Sequence, residues 1–108
     1  VIATGKSEFS AEAQYRLAEI LYIKQKYADA EKAGFDVIKK YGSYEYWVTK
    51  SYILLGDVYF AQKDYFNAEA TFKSIAENAT IEELKKEAEE KLAKVIEAKN
   101  KANQVEHQ

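Results

Sequence analysis

Few residues of this chain are of types that carry chemistry, and their spacing brings none of them together. The one histidine, His107, sits in the terminal tail. There is no cysteine, so no thiolate nucleophile or thiolate metal ligand, and no HExxH spacing. Carboxylates are common but scattered. Glu82-Glu83 and Glu89-Glu90 are adjacent in sequence and so point to different sides of a helix, whereas chelation and general acid–base work need convergent groups. Gly5-Lys6-Ser7 resembles the close of a phosphate-binding loop, but that motif needs a further glycine ahead of its Gly-Lys pair and a strand upstream. A flexible tail is the expectation there. Asn78-Ala79-Thr80 matches a glycosylation acceptor, a triplet frequent by chance. The expectation is a non-enzyme with no catalytic residues, no metal and no cofactor.

Composition narrows the partners. The chain has 108 residues, 47% hydrophobic and 31% charged, with a net charge of −2 and a pI near 5.5. That length and apolar content suit one modest domain with a core. A nucleic-acid binder would carry a basic face and a high pI, so none is expected. No apolar run approaches the roughly 20 residues that span a bilayer. Zero Pro and four Gly suit a nearly all-helical chain.

The elements follow from apolar spacing and caps. Residues 1–8 read as an irregular lead. Ser10 is placed as the cap of a first helix over about 10–25, with Ala13, Leu17, Ala18, Ile20 and Leu21 at three- and four-residue steps. A second helix runs over about 28–41 and closes on Gly42. Ser43 is placed as the cap of a third, about 44–62. Lys63-Asp64 makes a short turn into a fourth, 65–78. Thr80 and Glu83 form a capping-box pair opening a long last helix, about 81–103, ahead of a tail over 104–108. That helix has a narrow apolar stripe and four Glu–Lys pairs at i,i+4: Glu82–Lys86, Glu87–Lys91, Glu90–Lys94 and Glu97–Lys101. It reads as a capping helix, its outer faces in water.

The centre of the pattern is Leu55-Gly56-Asp57-Val58-Tyr59, followed by Tyr65, Ala68, Phe72 and Ile75. Gly56 permits a close helix approach, Tyr59 and Phe72 fill the space between the pair, and Ala68 keeps the crossing tight. Leu17-Ala18-Glu19-Ile20-Leu21 with Tyr27 and Ala30 forms a copy 38 residues earlier, and Leu92-Ala93-Lys94-Val95-Ile96 a half copy 37 residues later. Such self-similarity marks stacked helical hairpins.

On these residues the chain resembles the tetratricopeptide repeat family over roughly 12–98. The second repeat matches at Tyr52, Leu55, Gly56, Tyr59, Ala68 and Phe72. In the first, Ala18 stands for the Gly, Leu21 for the aromatic and Gly34 for the large apolar residue. The closing Pro is missing, and the 34-residue period is stretched by about four, most visibly at 41–47, which lengthens the third helix by about a turn. The resemblance implies an all-α, right-handed superhelix of antiparallel hairpins: repeat one about 10–41, repeat two about 44–78, and the C-terminal capping helix, together a domain over 9–103. The uncapped N-terminal hairpin suggests further repeats upstream, or a homodimer formed through that hairpin. The run over 44–75 also looks like the C-terminal repeats of large bacterial cell-envelope members, which would imply a periplasmic or membrane-associated scaffold.

The resemblance implies that the first helix of each hairpin lines a concave groove. By register its residues are Tyr15, Glu19, Tyr22 and Ile23, then Lys50, Ile53, Asp57 and Phe60, with Glu87, Glu90, Lys94 and Glu97 added by the last helix. Tyr22, Ile23, Ile53 and Phe60 are expected to be exposed, and Glu19 and Asp57 to make an acidic rim. Tyr15, Tyr22 and Phe60 fit groove and core equally well. Tyr44, Tyr46 and Trp47 either plug the lengthened junction or stand out as an aromatic anchor for a partner. The family's carboxylate-binding site has Asn where this chain has Glu19 and Asp57, so a C-terminal carboxylate would be repelled. The expected function is protein interaction: a peptide or helix with apolar and basic side chains bound in the groove of a longer scaffold. The alternative is an architectural capping or self-association segment with no external ligand.

Overall fold

The structure, a computed structural model, describes residues 7–106. Gly5, Lys6 and His107 lie outside them. Among the described residues there are five α-helices and no strand: α1 (Glu8–Ile23), α2 (Tyr27–Lys40), α3 (Glu45–Ala61), α4 (Tyr65–Asn78) and α5 (Glu82–Glu106). Each helix packs on the next, and α3 also touches α1 and α5. The result is elongated, 62 × 29 × 17 Å, because the helices stack in a row.

The two hairpin turns share three backbone hydrogen bonds at equivalent positions. After α1, the amides of Lys24, Gln25 and Lys26 donate to the carbonyls of Ile20, Tyr22 and Leu21. After α3, the amides of Gln62, Lys63 and Asp64 donate to those of Val58, Phe60 and Tyr59, the same positions 38 residues on. Both are six-residue C-terminal capping turns that satisfy orphan carbonyls. Both place a residue at positive φ, Gln25 at 63° and Lys63 at 62°, where glycine is the usual choice. The two turns also bring equivalent rings together: Tyr22 leans on Tyr27 at 6.1 Å and Phe60 on Tyr65 at 5.7 Å between centroids.

The helices within a hairpin meet through a small residue opposite a large one. In the second hairpin a Cβ on Gly56 would lie 2.5 Å from Cε1 and Cζ of Phe72, so the ring sits directly on the α3 backbone. Ala68 and Phe72 are buried there. In the first hairpin Gly34 replaces that aromatic, and Leu55 of α3 reaches toward it: a Cβ on Gly34 would lie 3.2 Å from Leu55 Cδ2. The missing ring thus leaves space that the next hairpin uses. Two core clusters result. One joins Ala11, Tyr15 and Ala18 to Ala33, Val37, Trp47 and Leu54. The other joins Ile53 and Phe72 to Leu84, Ala88 and Val95 of α5.

Several expected ends are corrected. Helix α1 starts at Glu8, and its cap is Ser7, whose Oγ accepts from the amide of Ser10. The cap residue of α3 is Tyr44, not Ser43, and no side chain bonds into that end. Tyr41 caps α2, and Gly42 does not adopt the left-handed conformation expected of a glycine cap. The Thr80 hydroxyl donates to the Glu45 carboxylate rather than joining Glu83 in a capping box. Helix α5 continues to Glu106. At 17 residues α3 is only one longer than α1, so the stretched period belongs to both hairpins. Of the four expected Glu–Lys pairs on α5, the described residues show Glu87–Lys91, at 3.3 Å.

Three substitutions test the packing and the turns. Gly56→Ala gains about 1 kcal/mol of helix propensity but drives a methyl into the buried Phe72 ring, so urea denaturation will show a net loss of about 1–3 kcal/mol. Gly34→Ala approaches Leu55 Cδ2 at 3.2 Å and Cγ at 3.5 Å, a milder contact that the gain in helix propensity offsets, and will stay within about 0.5 kcal/mol of the parent. Lys63→Gly relieves the left-handed strain of a non-glycine residue in the second turn, and thermal unfolding will show a gain of about 0.5–1 kcal/mol.

Candidate functional site

Helices α1, α3 and α5 lie side by side, and their facing residues make one charged, aromatic surface. Tyr15 of α1 stands at its centre, 5% exposed. Its ring lies 5.5 Å from that of Trp47. Lys50 Nζ and Arg16 Cζ each sit 5.5 Å from the Tyr15 centroid, and Arg16 also lies 5.7 Å from the Trp47 ring. Such cation–π contacts contribute about 0.5–1 kcal/mol each near a surface. Burial pushes the Tyr15 hydroxyl well above the ordinary tyrosine range, and the carboxylates of Glu19, Glu87 and Asp57 add to it against Arg16. These three acids come from three different helices, so the surface is shared by all of them.

The strongest link across it is an ion pair. Lys91 Nζ of α5 lies 2.7 Å and 2.9 Å from the two carboxylate oxygens of Asp57 on α3, and 3.3 Å from Glu87. Burial of the ammonium opposes its charge, but Asp57 and then Glu87 outweigh this and hold the Lys91 pKa above the usual lysine value. On Asp57 burial is the largest influence and raises its pKa, while Lys91 pulls the other way. The contact is bidentate, one ammonium against both carboxylate oxygens. It pins α5 across α3, together with Lys99 Nζ at 2.5 Å from Glu69 of α4.

The expected groove residues are only partly gathered here. Tyr15, Glu19, Tyr22, Lys50 and Asp57 all border the shared surface. Tyr22 and Phe60 are half-buried and Ile23 is exposed. Ile53 is not exposed as expected: it is 2% exposed, because α5 crosses α3 and covers it with the second core cluster. Trp47 is not an exposed anchor either. It is buried in the first cluster, where the half-buried Tyr41, Tyr44 and Tyr46 pack on it, and Tyr46 meets it edge-on at 4.8 Å.

The acidic rim is compensated from within. Glu19 accepts from Arg16 at 3.0 Å, and Asp57 is held by Lys91. Neither cation figured among the expected groove residues. A signal for them existed: Arg16 and Lys91 fall at the repeat position held by the buried Leu54, 38 residues after one and 37 before the other. A hollow of about 150 Å³ bounded by Asp57, Phe60, Phe72, Lys91, Lys94 and Val95 opens beside the pair. A larger one, about 520 Å³, lies between α3 and α4 around Glu45, Thr49, Tyr52, Thr71 and Ser74, and includes none of the expected groove residues. No group of three or more acidic or histidine side chains among the described residues could hold a metal ion, and no described helix is long and apolar enough to cross a membrane.

The fold has a pH signature. Tyr15, Tyr22 and Tyr59 all have raised pKa values, burial being the main cause in each. The folded state therefore keeps these phenols protonated where the unfolded chain has begun to ionise, above pH about 10. Their contribution is complete below that pH and is lost as pH rises. Denaturant melts at rising pH will show stability falling above about pH 10, by at most about 1.4 kcal/mol per pH unit for each group, and Tyr15→Phe will make the decline shallower.

Compared with known proteins, the chain matches no family model, no curated protein and no solved structure.

Proposed function

We propose that this chain is a protein-interaction module of tetratricopeptide type, a right-handed stack of two hairpins and a capping helix that receives a peptide or helix on the face shared by α1, α3 and α5. The observation that carries the reading is the 38-residue equivalence of the two turns, in which the same three amides find the same three carbonyls. That equivalence supports α1 and α3 as matching helices, with α5 beside them as a third. Along this face the half-buried rings of Tyr22 and Phe60 and the exposed Ile23 offer apolar seats. Aromatic and aliphatic anchors of this kind dominate binding where they are sheltered from water.

The charge on the face shapes the partner. A lysine or arginine of a bound peptide would take over the contact that Lys91 makes with Asp57, an exchange of one cation for another at a half-buried carboxylate. An acidic peptide would meet Glu19, Asp57 and Glu87 together. The partner is therefore an amphipathic segment with apolar and basic side chains.

The test uses two synthetic helical peptides of one length, one built from Leu and Lys and the other from Leu and Glu. Fluorescence anisotropy will show binding of the Leu/Lys peptide with a Kd on the order of 10 μM, and tenfold or more weaker binding of the Leu/Glu peptide. Tyr22→Ala with Phe60→Ala will weaken the first by at least about tenfold, with helicity by circular dichroism as the control for folding. Equal binding of the two peptides, or no effect of the double substitution in a folded protein, overturns the proposal.

A further inference from the structure

The four helices after α1 leave few large apolar side chains in water, but α1 does not follow them. Among the described residues it holds four of the eight exposed large hydrophobic residues: Phe9, Leu17, Ile20 and Ile23. Phe9, Leu17 and Ile20, with exposed Ala13 between them, recur at three- and four-residue steps and so form one stripe. Ile23 stands at its border with the peptide face. The other four, Phe35, Tyr52, Phe66 and Ile96, are spread singly over four helices, as solitary surface residues are in any protein.

The repeat shows what kind of surface the stripe is. Moved on by 38 residues, Phe9, Ala13, Leu17 and Ile20 become Trp47, Ser51, Leu55 and Val58 of α3. Those four are 8%, 0%, 2% and 0% exposed, because α3 buries them against the hairpin before it, where Leu55 approaches Gly34 of α2. The same positions that form an interface on α3 are open on α1. A contiguous apolar stripe of this type on a surface marks an interaction site.

We infer that the α1 stripe is covered by the α1 stripe of a second copy of this chain, giving an antiparallel, two-fold symmetric dimer joined end to end. Three observations favour a second copy. First, the stripe is self-complementary in size. In an antiparallel pairing centred between residues 16 and 17, the small Ala13 of each copy faces the large Ile20 of the other, and the two Leu17 side chains meet near the axis. Second, the two ends of α1 are oppositely charged, Arg16 and Glu19 between them being paired with each other. Glu8 and Glu12 lie in its first half and Lys24 and Lys26 follow its end, and the two lysines make no ion pair within the described residues. Antiparallel docking brings the acidic half of one helix beside the basic end of the other, and it also sets the helix dipoles in the favourable opposed sense. Third, the far end of the stack offers no apolar match, since the outer faces of α5 carry Glu and Lys. The contact is isologous and closes on itself.

The peptide face and the stripe meet only at Ile23, so this inference stands whether or not the groove binds a peptide. Sedimentation equilibrium of the natural chain will give twice the 12.4 kDa of one copy. Ile20→Glu will halve that mass while the helical spectrum is unchanged, and Phe66→Glu, a substitution at a solitary exposed ring on α4, will leave the dimer intact. The chain has no cysteine, so a single Leu17→Cys thiol reports directly on apposition. Under mild oxidation with diamide it will form a disulfide-linked dimer at least about tenfold faster than Phe66→Cys. A chain that stays monomeric up to about 1 mM, a dimer that survives Ile20→Glu, or equal cross-linking at the two cysteine positions overturns the inference.

Discussion

The structure depends on one contact, the Phe72 ring lying on the bare backbone of Gly56. A side chain at position 56 would hold α3 and α4 apart, and every residue that α4 then presents to α5 would shift with it. Phe72 is 1% exposed and belongs to the same cluster as Leu84, Ala88 and Val95, so the ring is wedged between the second hairpin and α5. Burying a phenylalanine contributes about 1.5–3 kcal/mol. The larger consequence is geometric, because interiors are packed too densely to absorb a displaced ring elsewhere. The first hairpin solves the same problem with the volumes redistributed. Gly34 occupies the position of Phe72 and Ala18 that of Gly56, and the space is used by Leu55 from the neighbouring helix. One hairpin is filled from within and the other from outside, which couples the stability of the first to the presence of the second.

Charge does a different job from packing. The ion pairs on the outer surface, such as Arg16 with Glu12 at 3.5 Å, are half-exposed and contribute little. Lys91 with Asp57 and Lys99 with Glu69 are more sheltered and join helices that are not neighbours in sequence or are long enough to pivot. They fix the angle of α5 across α3 and α4. Breaking the first by removing Lys91 would leave a half-buried carboxylate facing Glu87, a cost on the order of 1 kcal/mol or more. The arrangement therefore selects one placement of α5 over neighbouring ones.

What the sequence disclosed and what it hid divide along the range of the interaction. Gly56, Ala68 and Phe72 were legible because each acts within one hairpin, at spacings that helix geometry fixes. The all-helical class and the hairpin order were legible for the same reason. The second turn was legible at Lys63-Asp64, but the left-handed backbone of the turns was not, because glycine is its usual sign and this chain places Gln25 and Lys63 there. Ser7 and Ser10 are three residues apart and either could open a helix; the bond from the Ser10 amide decides for Ser7. The remaining misreadings are long-range. Ile53 is buried by a helix about thirty residues later, Thr80 is claimed by Glu45, and Asp57 is paired with Lys91. No local pattern announces such contacts. A clue lay in the repeat itself, since Tyr22–Tyr27 and Phe60–Tyr65 are equivalent pairs, and rings repeated across a turn point to a structural contact as readily as to a ligand.

The two ends of the stack differ in kind, and that difference limits how copies can assemble. An apolar α1 stripe facing an apolar match at the α5 end would let copies add head to tail without limit, the geometry that produces filaments. Here the outer faces of α5 carry alternating Glu and Lys, and a leucine or phenylalanine docked against them would strip water from charges without pairing them. The last helix thus seals its own hairpin through Leu84, Ala88 and Val95 and, by the charge of its other faces, withholds a second surface. Association through α1 then has one way to satisfy both copies, a two-fold contact that consumes both stripes at once. On the dimer inferred above, the same charged faces that read in sequence as mere solvation would leave a growing head-to-tail array without a second apolar surface.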